Sequence, residues 1–267
     1  MASELYYKNR TGPYTMVYDS GTSVVYLPLQ NTTADYEEII QAAKSIDLAK
    51  ILPAGADATI LAGYKAQVDI ILDLYASPDA TVQETTFGGS VYNPIALLKP
   101  LSRGSITINT TDPFADPVFD FGTYMHPTDL IIGVATVKKN REWFQTKPMQ
   151  QIGLQEVIPG PQYTSDADIA AQLRQITLSS WQHPSGTLSM LPRKYGGVVD
   201  SELRVYGVRG LRVVDASIFP IIPATHTTPA VYAVAEKVRS PVRRVCFFGC
   251  FGMLAVALVF FYFPSTL

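Results

Sequence analysis

No two of the 18 glycines in this 267-residue chain are separated by a single residue. That absence limits the fold more than any motif that is present. Doubly wound α/β folds that bind dinucleotides open with a strand, a G-x-G-x-x-G turn and a helix. Only glycine lets that backbone approach a diphosphate and lets the helix pack closely on its strand. These residues cannot build such a turn. They do contain material for a sizeable core, since 47% are hydrophobic and 16% charged, which argues against overall disorder. The net charge of −2 provides no basic field, so no nucleic-acid partner is expected.

Local patterns alternate without a regular βαβ rhythm. Thr32 with Asp35 reads as a capping box opening a helix over 34–50. Ile60, Leu61, Tyr64, Val68, Ile71, Leu72 and Tyr75 recur at helical spacing and predict a core-facing stripe on a helix over 57–77. Gly88-Gly89 and Asn93-Pro94 mark turns, and residues 102–113 read as a strand centred on Ile106 and Ile108. Pro127 and Thr128 open a helix to Gln145, with Leu130, Ile131, Val134 and Val137 inward and Lys138, Lys139 and Arg141 on a solvated face. Ser165 with Asp168 caps a helix to Thr177. Val198-Val199 predicts a short strand, and Leu211–Ser217 a buried strand reaching Asp215. A helix then runs from Thr228 to Arg239, with Pro229 at its first position and Pro241 stopping it. This mixture predicts α+β, or a fragment of a larger α/β protein.

The two cysteines, Cys246 and Cys250, lie near the carboxy terminus. Neither a disulfide framework nor a metal site is therefore expected in the body of the chain. The start, MASELYYKNRTGPY, does not read as a signal peptide. Sequons at Asn9, Asn31 and Asn109 point weakly to a secreted ancestry. From Val245 to Leu267 there is no charge, and residues 245–263 are long enough for a helical span, which needs roughly 17–25 residues. Arg239, Arg243 and Arg244 would hold the preceding side in the cytoplasm. A core helix and an aberrant chain end are the alternatives, the latter favoured. The chain is expected at a membrane if that span is genuine, and otherwise its secreted or cytoplasmic location is open.

Three histidines occur, and His126, at the start of the 127–145 helix, reads as structural. His183 stands in SSWQHPSGTLSM. An imidazole titrates near ~6.5 in peptides and so accepts a proton near neutral pH. Pro184 biases His183 towards extended backbone, and Gly186 permits close approach of a flat ring. Asp215 follows in LRVVDAS and His226 in PATHTTPAVYAVAEK. Each is weak alone, but their order and flanking residues are specific.

Together with LLKPLSRGSITINTTDPFADPVFDFGTYMHPTDL, these segments closely resemble the carboxy-terminal signature of the glucose–methanol–choline (GMC) oxidoreductases, flavin enzymes that oxidise alcohols. The resemblance is strong over about 90–238 and loose over 1–89. It implies a partial substrate domain over 1–180, with an antiparallel sheet and helices. It also implies the carboxy-terminal remnant of an FAD-binding α/β domain over 181–238. The hydrophobic tail over 239–267, a candidate transmembrane helix, lies outside it. By this resemblance His183 removes the proton from a small-molecule alcohol and His226 hydrogen-bonds its hydroxyl. Asp215 hydrogen-bonds the ribityl chain of FAD or a nearby phosphate, and Ala216 keeps the backbone close to it. Thr227, Thr228 and Pro229 form a helix terminus facing the flavin. Trp181 and Gln182 flank His183 and are candidates for substrate contact, at most one of them reaching it, because strand neighbours point to opposite faces. Tyr92 and Phe121 are candidates for the pocket lining.

Two departures stand out. The dinucleotide fingerprint is missing, so the chain reads as the latter part of an enzyme roughly twice its length. The likeness also stops near Lys237, either at a gene-model boundary or at a true anchor. The leading expectation is an FAD-dependent oxidoreductase acting on a CH–OH group. A catalytically inactive fragment held by its tail is the alternative, and a lyase role is compatible with both histidines.

Overall fold

The computed structural model describes residues 2–11, 23–87, 94–112, 114–152 and 156–248. In chain order its elements are α1 (Ala2–Asn9), β1 (Ser23–Leu27), α2 (Leu29–Thr32), α3 (Tyr36–Lys44), α4 (Ala58–Ala76), β2 (Gln83–Phe87), β3 (Ile95–Leu97), β4 (Ser105–Thr107), β5 (Val118–Asp120), α5 (Pro127–Phe144), α6 (Lys147–Ile152), α7 (Asp166–Ile176) and α8 (Thr227–Phe248). Short 3-10 turns lie at Leu48–Lys50, Arg193–Tyr195 and Ala216–Ile218. Helices with two small antiparallel sheets make this an α+β fold, as the sequence patterns predict. The chain divides into two compact units. One comprises Met1–Asp47, Asp69–Arg103 and Gly122–Leu178, and the other Leu48–Val68, Gly104–Phe121 and Ser179–Leu267.

In the first unit, β2 is the central strand between β1 and β3, with Leu27 opposite Gln83 and Thr85 opposite Ile95. Gln83, Glu84, Thr85 and Thr86 are all buried, so this strand carries no alternating apolar signal. α5 and α7 pack through Leu130, Val134, Val137, Ile169 and Leu173, with Tyr124 and Tyr163 against them. Ile131 is exposed, contrary to expectation, and Ile132 is fully buried. A second buried stripe explains this: Thr128, Ile132, Thr136 and Asn140 recur every four residues. Two of its polar members bond back to the helix, with Thr136 Oγ1 donating to the Ile132 carbonyl at 2.8 Å and Asn140 Nδ2 to the Thr136 carbonyl at 2.9 Å.

Other expectations hold in part. Ser165 caps α7 by accepting the Asp168 N–H at 3.1 Å. The box at Thr32 does not form. α3 begins at Tyr36, and Thr33 Oγ1 instead accepts the Asp35 N–H at 3.2 Å. α4 matches its predicted range, with Tyr64, Val68, Ile71, Leu72 and Tyr75 buried but Ile60, in its first turn, 42% exposed. The strand at 102–113 shrinks to β4, paired to β5 with Ile106 opposite Phe119. The turn at Gly88-Gly89 and Asn93, and Tyr92, lie outside the described residues. α8 starts at Thr227, which makes Pro229 its third residue. The first four helical amides have no intrahelical acceptor, so proline costs no hydrogen bond there either. The helix also continues past Pro241. Of the apolar run at 245–263, only Val245–Phe248 lies within the described residues. Among those residues no helix is long and apolar enough to cross a membrane.

Lys138 and Lys139 make exposed ion pairs with Asp166 and Glu142, but Arg141 does not belong to that solvated face. Its side chain is 20% exposed and grips Glu156 with two nitrogens, each at 2.8 Å. It also donates to the carbonyls of Tyr163 and Gly160. Substituting Arg141→Ala leaves Glu156 and two carbonyls without this donor. The expected loss is about 2 kcal/mol in urea unfolding, and Arg141→Lys, which has no fork, should recover less than half.

His126 precedes α5 and is fully buried. Its backbone N–H donates to Ser102 Oγ at 2.9 Å, and Asp129 accepts the Leu101 and Ser102 amides at 2.8 and 2.7 Å. Neither ring nitrogen of His126 has a hydrogen-bond partner among the described residues. Burial, and secondarily the nearby Arg103 charge, lower its pKa to about 4, in keeping with a structural role. The unfolded imidazole, titrating near ~6.5, therefore takes up its proton first as pH falls. Stability from neutral His126 is present above that value and is lost as pH falls towards about 4. Burial raises the Asp129 pKa, which acts in the opposite sense, so the comparison needs a variant that keeps Asp129. Relative to His126→Leu, the unmodified chain is expected to lose about 3 kcal/mol of unfolding free energy between neutral pH and pH ~4. A pH-independent difference would contradict this.

Candidate functional site

The site is built in the second unit on a short hydrogen-bond ladder. The amides of Gly186, Leu188 and Met190 donate to the carbonyls of Ala216, Ser217 and Ile218 at 3.2, 2.9 and 2.8 Å. This ties the segment after His183 to the 3-10 turn that follows Asp215. Ile218 is buried with Val199 and Leu203, and Val213, Val214, Phe219, Val234 and Val238 pack around them. Val234 and Val238 belong to α8, so the same core that holds the 216–218 turn also seats the helix whose first residue follows His226.

Leu211–Ser217 is not the predicted strand. The Val205 amide reaches the Leu211 carbonyl at 3.0 Å and the Val213 amide the Leu203 carbonyl at 3.1 Å. Pairing goes no further than single bridges, including those of Val199 with Met190 and Val205. Asp215 instead caps the following turn, its Oδ1 accepting the Ser217 N–H at 2.8 Å and the Ser217 hydroxyl. Ala216 contributes its carbonyl to both the Gly186 and Phe219 amides.

Gly186 has φ +86°, and a Cβ there would sit 3.0 Å from the Phe219 carbonyl oxygen. The fold itself thus requires this glycine, through its left-handed backbone and its approach to a carbonyl. Upstream, the segment is a bend, not a strand. Gln182 has φ +58°, and Ser180 Oγ accepts the His183 N–H at 3.0 Å. Sequence reasoning missed Ser180 and Ser217. Their only signal is a hydroxyl placed two or three residues from the group it holds.

Three of the predicted site residues meet through their rings. His183 and His226 lie 5.4 Å apart between centroids, at 83°. Trp181 lies 5.9 Å from His226, at 62°. Both imidazoles are half-buried. Gln182 is exposed and has turned away from the extended geometry assumed for it. Thr227 is buried, while Thr228 and Pro229 are exposed in the first turn of α8. Phe121 stacks on Phe119 at 5.7 Å. Among the described residues no His, Cys, Asp and Glu cluster could hold a metal ion.

The GMC oxidoreductase family profile matches residues 100–235, a span that includes every residue of this constellation, and the chain belongs to that family. Dehydrogenase xptC of Emericella nidulans is 34% identical over 235 residues, covering 87% of this chain and 38% of that protein. The solved structure of an FAD-dependent oxidoreductase from Chaetomium thermophilum superposes with a TM-score of 0.85 at 33% identity, over 92% of this chain and 42% of that one. A fungal aryl-alcohol oxidase superposes with a TM-score of 0.81 at 34% identity, over 89% and 40%. The chain therefore spans about two fifths of the length of the relatives it matches.

The donor set suits the ring end of a flavin. Two imidazoles in contact stand next to a helix start whose first amides have no intrahelical acceptor and whose dipole favours an anionic neighbour. The Gly-x-Gly turn that would cradle a diphosphate does not occur among these residues. The ladder can be tested without any cofactor. Gly186→Ala adds a methyl group at a positive φ against the Phe219 carbonyl. It is expected to lower stability by about 1–3 kcal/mol, read from the urea midpoint.

Proposed function

We propose that this chain carries the proton-handling residues and part of the substrate region of an FAD-dependent oxidoreductase acting on the CH–OH group of an alcohol. The observation that carries this reading is the edge-on contact of His183 with His226, 43 positions apart in sequence and 5.4 Å apart in space. Oxidation of an alcohol removes one proton from oxygen and one hydride from carbon. His183 accepts the hydroxyl proton, and His226 hydrogen-bonds the same oxygen and fixes its direction. Bound FAD supplies the hydride acceptor. The amino end of α8, at Thr227 and Thr228, favours negative charge beside it. Asp215, already braced by Ser217, is assigned to the polyol side of the cofactor together with Ala216. The solved relatives described as an FAD-dependent oxidoreductase and an aryl-alcohol oxidase support the assignment.

A second reading, that these 267 residues alone are not catalytic, is favoured by one specific observation. The glycine spacing that cradles a dinucleotide diphosphate does not occur in them. FAD titration of the purified chain, followed by turnover of a panel of primary alcohols, separates the two. Under the proposed function FAD binds, and His183→Ala lowers kcat by about 10²–10⁴-fold while the flavin absorbance persists. A colourless chain without turnover favours the second reading, and an unimpaired His183→Ala enzyme contradicts the first.

A further inference from the structure

We propose that Trp181 is a positioning residue for His226 and not primarily a wall of the substrate pocket. The proposal deepens the function assigned above, since it takes His183 and His226 as the proton-handling pair. In an extended segment residues 181 and 183 would share one face and both side chains would point the same way. The backbone here is not extended. Gln182, a residue with a side chain, sits at φ +58°, and the Ser180 hydroxyl holds the His183 amide at 3.0 Å. This bend delivers two different rings to one imidazole. His183 meets His226 at 5.4 Å and 83°, and Trp181 meets it at 5.9 Å and 62°, both in T-shaped arrangements. Both separations fall in the range where edge-to-face contacts are favourable.

His226 lies outside regular structure, one residue before α8 begins, so helical packing does not set its ring orientation. Two ring contacts at different angles restrict rotation of the imidazole about its own axis. Trp181 remains 38% exposed, so its other surface is accessible and a substrate-contact role makes a rival prediction. A positioning residue acts on kcat through the orientation of His226, whereas a substrate wall acts on KM.

The test compares the full chain with Trp181→Phe and Trp181→Leu. The protein has three histidines, so long-range proton–nitrogen NMR spectra contain three imidazole systems. Buried His126, with its pKa of about 4, stays neutral in mildly acidic buffer and reports an intact fold. Trp181→Leu is expected to move the His226 ring resonances as the indole ring current is lost, with His126 unmoved. In the flavin-loaded enzyme it lowers kcat by about 10–100-fold and changes KM by less than about twofold, and Trp181→Phe restores most of kcat. Unmoved His226 resonances in Trp181→Leu, or a change confined to KM, overturn the proposal. If the His226 resonances move but no form of the protein turns over alcohol, the positioning claim stands and the oxidoreductase reading fails.

Discussion

The amides of Gly186, Leu188 and Met190, bonded to the carbonyls of residues 216–218, connect the two halves of the candidate site. On one side of this ladder is the bend that presents His183. On the other is the turn capped by Asp215, whose Ile218 is buried with Val199 and Leu203 and neighboured by Val234 and Val238 of α8. The ladder depends on Gly186, because a side chain there would have to adopt φ +86° and press on the Phe219 carbonyl. Burial of Ile218 anchors the turn, the same core seats α8, and His226 precedes α8 directly. The meeting of two distant imidazoles thus follows from ordinary apolar packing and three backbone bonds.

The candidate site was more legible in the sequence than its surroundings. His183, Asp215 and His226 sit in segments whose flanking residues are distinctive, and Trp181, singled out for the substrate, lies against the His226 ring. What the sequence concealed was backbone direction. A bend at Gln182 and a cap at Ser217 are decided by single hydroxyls and one left-handed residue, which leave no periodic trace. The role of Gly186 was read as room for a ligand, whereas the fold already needs it. Helices declared themselves through caps and apolar stripes where their cores are apolar, as in α4 and α7. α5 was half hidden, since its second buried stripe is written in Thr128, Thr136 and Asn140. β2 was hidden for the same reason, being central, buried and polar. Arg141 resembled its lysine neighbours because sequence carries no sign of Glu156 fifteen residues away.

Family membership and the chemistry of these 267 residues are separate matters. The relatives are more than twice as long as the matched region, and the glycine turn that would hold a dinucleotide diphosphate is not encoded among the residues present. The second unit nevertheless brings two imidazoles and an indole together. The contacts around its imidazoles are internal to that unit, namely the ladder, the Ile218 core and the Trp181 ring. Under the proposed function, preorganisation of this kind spares the enzyme a rearrangement during proton abstraction.

The account stands on the proximity of the His183 and His226 rings. A through-space proton–proton NMR experiment on the chain with labelled histidine measures it directly. Rings whose centroids are 5.4 Å apart should give a cross-peak between the carbon-bound ring protons of His183 and His226. Two fully assigned imidazoles with no cross-peak between them, in a chain whose α8 is formed, would contradict the account.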